Sequence, residues 1–169
     1  MKKRDKQKLI SSRFNILLVT EDKSIKDQIQ KALNGYARNI DGASDAVEGV
    51  AMFRADSERY DLIIADVTMS NSDTLKMLRL IRSTRHDLSS VVIVEMGDFK
   101  ILLSCIELGV EGCILKPLIN TQVGEELARV IRNIDTKKAN HRDMDALLEF
   151  KEAAELIFDD VISKIKVPS

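Results

Sequence analysis

The chain has 169 residues, of which 44% are hydrophobic and 31% charged, with a formal net charge of −1, 4% aromatic residues and no Trp. That composition suits one globular domain with extensions, whose core must be built from aliphatic side chains. The charge balance excludes a general attraction to nucleic acid or anionic lipid, and no apolar run reaches the roughly 18 residues that span a bilayer.

Residues 1–8, MKKRDKQK, carry five basic groups against Asp5. The stretch lacks the apolar region of a signal peptide, so the expectation is a cytoplasmic protein with a basic, flexible N-terminus over residues 1–13. From residue 14 onward, short apolar runs alternate with segments of helical period, which predicts a parallel sheet covered on both faces. Residues 15–19 (NILLV) predict the first strand, and Ile25, Ile29 and Leu33 at spacing four predict a helix stopped by Asn34 and Gly35. Residues 38–41 form a weaker strand whose polarity suits a sheet edge. Ser44 is the expected N-cap of a second helix with Val47, Val50 and Phe53.

Residues 61–65 (DLIIA), 91–94 (VVIV) and 113–115 (CIL) are continuous apolar runs, as expected of strands buried on both faces. Between them, Leu75, Leu78 and Ile81 mark a third helix and residues 101–108 a fourth, ended by Gly109. Val123, Leu127, Val130 and Ile131 mark a fifth. Cys105 and Cys113 show no metal spacing and lie in apolar surroundings, which predicts reduced, buried thiols. The expected division is a domain over residues 14–134, a polar linker over 135–142 (DTKKANHR) and an amphipathic helix within 143–169. Residues 135–169 hold six Lys/Arg against eight Asp/Glu, too acidic and too short for a DNA-binding output.

In an open α/β sheet, ligands bind beyond the carboxyl ends of the strands. Thr20, Glu21 and Asp22 stand there after the first strand, Asp66 after the third, Val94 and Glu95 at the end of the fourth, and Lys116 after the fifth. Converging carboxylates repel unless a cation sits between them, and hard oxygen ligands suit Mg²⁺. A lysine in the same mouth can balance the oxygens of a phosphoryl group.

Three segments carry a family resemblance. Residues 60–82 (YDLIIADVTMSNSDTLKMLRLIR) resemble the third strand, acceptor loop and third helix of response-regulator receiver domains. Residues 107–118 (ELGVEGCILKPL) resemble that family's fifth strand and Lys-Pro element, and residues 16–22 (ILLVTED) its opening strand and acidic cluster. The resemblance implies a flavodoxin-like, doubly wound sheet with strand order 2-1-3-4-5, an order that the general rule for such sheets already attaches to this family. It also implies the roles. Asp66 would be the phosphoacceptor, attacking phosphorus to form an acyl phosphate. Glu21, Asp66 and the backbone carbonyl of Thr68 would hold Mg²⁺, with Asp22 as a compensating acid, and Lys116 would contact the phosphoryl oxygens.

The chain also departs from the pattern. Thr20 replaces an acid, and Glu21 is one methylene longer than the usual Asp, so weak Mg²⁺ binding is expected. No hydroxyl ends the fourth strand, where either Val94 or Glu95 stands, and Cys113 replaces the family's aromatic switch residue. Ser70 and Thr74 occupy loop positions where Pro and Gly are usual.

Two functions follow as expectations. The first is a phosphorelay receiver, not an enzyme, that takes a phosphoryl group from a histidine kinase or phosphotransfer protein and alters contacts with a downstream protein. The alternative is a phosphorylation-independent pseudo-receiver that binds proteins or dimerises. In either case the apolar stripe through Leu147, Phe150, Ala154, Ile157 and Val161 must be covered, either by folding back on the chain's own receiver or, the favoured expectation, in a homodimer through the C-terminal helix.

Overall fold

The computed structural model describes residues 14–68 and 71–165. The basic residues 1–13 and Ser70 lie outside the described residues. Among the described residues five strands and five helices alternate: β1 Phe14–Val19, α1 Lys23–Ala32, β2 Ala37–Ala43, α2 Ala46–Ala55, β3 Leu62–Asp66, α3 Asn71–Thr84, β4 Ser89–Glu95, α4 Phe99–Glu107, β5 Gly112–Lys116 and α5 Asn120–Ile165. The strands form one parallel sheet in the order β2-β1-β3-β4-β5. This is the doubly wound arrangement expected from the alternation, with the polar β2 at an edge.

Burial explains why the apolar runs became strands. All five residues of the central β3 are buried. Leu17, Val19, Ile63, Ala65, Val92 and Val94 share a core cluster with Phe53, Leu75, Met77, Ile81 and Cys105. The alternate residues of the same strands face the opposite layer, where Ile25, Ile29, Val123, Leu127 and Val130 are buried. Gly35 and Gly109, just past the ends of α1 and α4, adopt φ of 88° and 73°, a left-handed conformation that stops a helix at little cost for glycine.

Three local expectations are corrected. The N-cap of α2 is Asp45, whose Oδ1 accepts the Glu48 N–H at 2.8 Å. Ser44 instead donates its N–H and hydroxyl to Glu48 Oε2 at 2.6 and 2.7 Å, because β2 runs on to Ala43 and leaves it in the connection. Val47 is 78% exposed and takes no part in the core. Residues 135–142 are helical, within a single α5 of 46 residues. Residues 125–165 contain neither Gly nor Pro, so the polar stretch is compatible with a solvated helix and nothing breaks it.

The chain divides into two compact units, Met1–Ile131 and Arg132–Ser169. No described helix is long and apolar enough to cross a membrane.

The core also carries a pH signature. Cys105 is fully buried, Cys113 half-buried, and both are free thiols. Burial above all, then the neighbouring Cys113 and Asp98, pushes the Cys105 thiol from 9.0 up to about 11. The folded state therefore holds its proton over a range where the unfolded chain has lost it. Stability linked to this group is complete below pH 9.0 and is lost as pH rises to about 11; the loss amounts to roughly 3 kcal/mol. Urea midpoints measured from pH 8 to 11 should fall across that window, and Cys105→Ala should flatten the fall.

Candidate functional site

The end of β3 places Asp66 in the middle of the sheet, between the ends of β1 and β4 and within reach of Lys116 at the end of β5. Its side chain is 1% exposed. Two local turns shape what surrounds it. Thr68 donates its backbone N–H to Asp66 Oδ1 at 3.0 Å, a turn typical of aspartate two residues upstream, and adds its hydroxyl to the same oxygen at 2.6 Å. At the end of β1, Thr20 accepts the Asp22 N–H at 3.2 Å, which orients its hydroxyl to donate to Asp66 Oδ2 at 3.2 Å.

Lys116, the last residue of β5, completes the group. Its ammonium donates to Asp66 Oδ2 at 3.1 Å and to the Thr68 hydroxyl oxygen. The following Lys116–Pro117 peptide is cis. Both oxygens of Asp66 are thus met by protein donors, two on each: the N–H and hydroxyl of Thr68, and the Thr20 hydroxyl with Lys116.

The remaining sequence candidates are placed elsewhere. Asp22 is the N-cap of α1, its Oδ1 accepting from Ser24 and Ile25 N–H at 2.8 and 3.2 Å, so that oxygen stabilises a helix end instead of supporting an ion. Glu21 is exposed. Val94 is buried in the core cluster, whereas Glu95 ends β4 exposed, opposite Lys116 in the sheet register. Neither brings a hydroxyl to Asp66. The Cys113 thiol is pushed up by burial and then by Glu126, and its N–H donates to Glu126 Oε1 at 3.1 Å. Glu126 in turn takes two bonds from Arg129, at 2.9 and 2.7 Å, which hold its carboxyl below the usual range.

In this arrangement the oxygens of Asp66 are taken by protein donors and are not presented to a Mg²⁺. Among the described residues no three His, Cys, Asp or Glu side chains form a group that could hold a metal ion. An octahedral Mg²⁺ is usually held by one or two carboxylates, with waters and other oxygens completing its shell. Here two hydroxyls, a backbone N–H and an ammonium occupy the oxygens of Asp66. Of the acids expected around a weak Mg²⁺ site with Asp66 and the Thr68 carbonyl, Asp22 caps α1 through one of its oxygens and Glu21 is exposed.

The sequence expectation for Thr20 is a lost acid and for Thr68 a backbone carbonyl ligand. Both are hydroxyl donors to Asp66. The signal was available, since a Thr that follows a strand can turn its own hydroxyl back on the backbone two residues on.

Comparison with known proteins agrees with the fold and the order of these residues. Residues 16–128 match the family model of the response regulator receiver domain. The chain is 28% identical over 127 residues to the chemotaxis protein CheY of Treponema pallidum, covering 75% of this chain and 88% of that protein. It is 25% identical over 119 residues to the response regulator MprA of Mycobacterium avium, covering 70% of this chain but 51% of that protein, so it spans about half the length of such relatives. Among solved structures, a response regulator receiver domain protein from Clostridium thermocellum superposes with a TM-score of 0.64 at 21% identity, covering 75% of this chain and 97% of that one. NtrX from Brucella abortus gives 0.66 at 22% identity, covering 76% and 29%. With a family model matched over most of its length, a five-stranded sheet in the 2-1-3-4-5 order and an aspartate–lysine pair at the strand ends, this chain belongs to the response regulator receiver domain family.

Proposed function

We propose that this receiver serves two-component signalling as a protein-binding module whose central aspartate is held by the protein's own donors and does not depend on Mg²⁺ or phosphorylation. The observation that carries this reading is the saturation of Asp66, with four protein donors on its two oxygens. In a cluster of several acids the repulsion favours a cation; Thr20 removes that repulsion, and Lys116 supplies the balancing charge.

A surface suited to protein contact supports the same reading. Helix α4 is apolar on both sides, with Cys105 in the core and Phe99, Leu103 and Ile106 exposed, and Leu115 of β5 is exposed as well. A helix that is hydrophobic all round is normally covered. The partner in this reading is a histidine kinase, a phosphotransfer protein or a downstream component of the same pathway.

The second reading, a phosphoacceptor fed by a histidine kinase, draws on the 3.1 Å contact between Asp66 and Lys116. An Asp66 oxygen would attack phosphorus while the donor's phosphorus–nitrogen bond breaks, and Lys116 would follow the new phosphoryl oxygens. That requires Lys116 to leave both Asp66 and Thr68.

Incubating the protein with acetyl phosphate and Mg²⁺ and weighing it intact separates the two. The proposal expects an unchanged mass. A gain of one phosphoryl group that Asp66→Asn abolishes would establish the second reading in its place.

A further inference from the structure

Every residue from 143 to 165, in the C-terminal part of α5, is exposed. Ten large apolar side chains lie bare between Met144 and Ile165. At helical spacing all but Leu156 fall on about one half of the circumference, with Asp145, Glu149, Glu152, Asp159 and Asp160 on the other. A face so wide gains its stability by being covered, and residues 143–165 carry seven acids against two lysines, so whatever covers it must suit that charge.

The seam expected through Leu147, Phe150, Ala154, Ile157 and Val161 is apolar throughout and gives no direction, whereas the order of residues along the adjoining edge of the face does. Met144, Leu148, Lys151, Glu155, Phe158 and Ile162 follow one another at alternating spacings of four and three and share one stripe. The stripe reads alike in both directions: two apolar residues, a charge, the opposite charge, two apolar residues. We propose that two copies of the chain pair antiparallel through this stripe, about a two-fold axis level with Ala153. Met144 then meets the partner's Ile162, Leu148 meets the partner's Phe158, and Lys151 meets the partner's Glu155, each contact occurring twice.

Charge complementarity selects both the occupant and its direction. A parallel copy would set lysine against lysine and glutamate against glutamate in the middle of the stripe, whereas the antiparallel copy makes two ion pairs there. Within one chain Lys151 and Glu155 are only loosely joined, 3.8 Å apart and largely exposed. Lysine preceding glutamate by four residues is also the less favourable order on a helix, so both side chains lose little by turning to a partner. Five of the seven acids lie on the opposite half and stay in water. Paired over some 20 residues, or about 30 Å of helix, such faces approach the roughly 800 Å² per partner of a standard stable interface.

The pairing involves residues 144–162 alone and rests on none of the chemistry at Asp66, so either account can fail without the other. Sedimentation of the full chain at tens of micromolar tests it. A dimer is expected, with self-association weakened about tenfold or more in Glu155→Lys and regained in the double exchange Lys151→Glu, Glu155→Lys. Direction is read by carbodiimide cross-linking of a mixture of ¹⁴N- and ¹⁵N-labelled protein, which should yield a mixed-isotope link between Lys151 and Glu155. A monomer, whose face is then left to another protein, overturns the proposal. So does a dimer indifferent to Glu155→Lys, or one that gives no mixed-isotope link.

Discussion

Replacing Lys116 with Met should lower the unfolding free energy by about 3 kcal/mol, within the range measured when one partner of a buried ion pair is removed. The cost comes from Asp66, which is 1% exposed and would keep its charge in the interior with hydroxyl and amide donors alone. Asp66→Asn should cost clearly less. It removes the buried charge itself, and the side chain of Lys116 is 20% exposed, so its ammonium can turn to water. Urea denaturation of the two variants measures the asymmetry. Equal losses would mean that the lysine is not what stabilises the carboxylate.

The second large effect is a gain. Thr20→Asp combined with Glu21→Asp should make the protein respond to Mg²⁺. The first change puts a carboxylate where a hydroxyl now donates to Asp66 Oδ2 at 3.2 Å, and the second shortens an arm that is one methylene too long. Without metal the variant should be less stable than the parent by about 1–3 kcal/mol, because two carboxylates then share one site. Mg²⁺ at many times its dissociation constant should return much of that, on the order of 3 kcal/mol at a hundredfold excess. Thermal unfolding with and without Mg²⁺ reads both: a flat response is expected for the parent and a rise in Tm for the variant.

The parts of the molecule that were legible in the sequence are those fixed by apolar period. β3 and β4 are continuous apolar runs, and a run of that kind between turn residues has little choice but to be a strand buried on both faces. The register that brings Asp66, Thr20 and Lys116 together followed from those strands, since each candidate stands at a strand's carboxyl end. Polar residues were harder to place. An aspartate after a strand can be a ligand or a cap, and Asp22 proved a cap because Lys23–Ala32 begins one residue later and its N–H groups need an acceptor. Thr20 and Thr68 were undervalued for a related reason: a hydroxyl's role depends on which atom it faces, and spacing along the chain does not record that. Residues 135–142 were misread because polarity signals exposure, and exposure is compatible with helix when neither Gly nor Pro interrupts it.

Under the proposed function, protein donors and no cation satisfy Asp66. The Thr68 amide reports on it directly, since its N–H donates to Asp66 Oδ1 at 3.0 Å. Titrating the ¹⁵N-labelled protein with Mg²⁺ and beryllofluoride, a stable mimic of a phosphoryl group, should leave the Thr68 amide resonance where it is. A saturable shift of that resonance, absent in Asp66→Asn, would contradict the account and make Asp66 a metal-dependent phosphoacceptor.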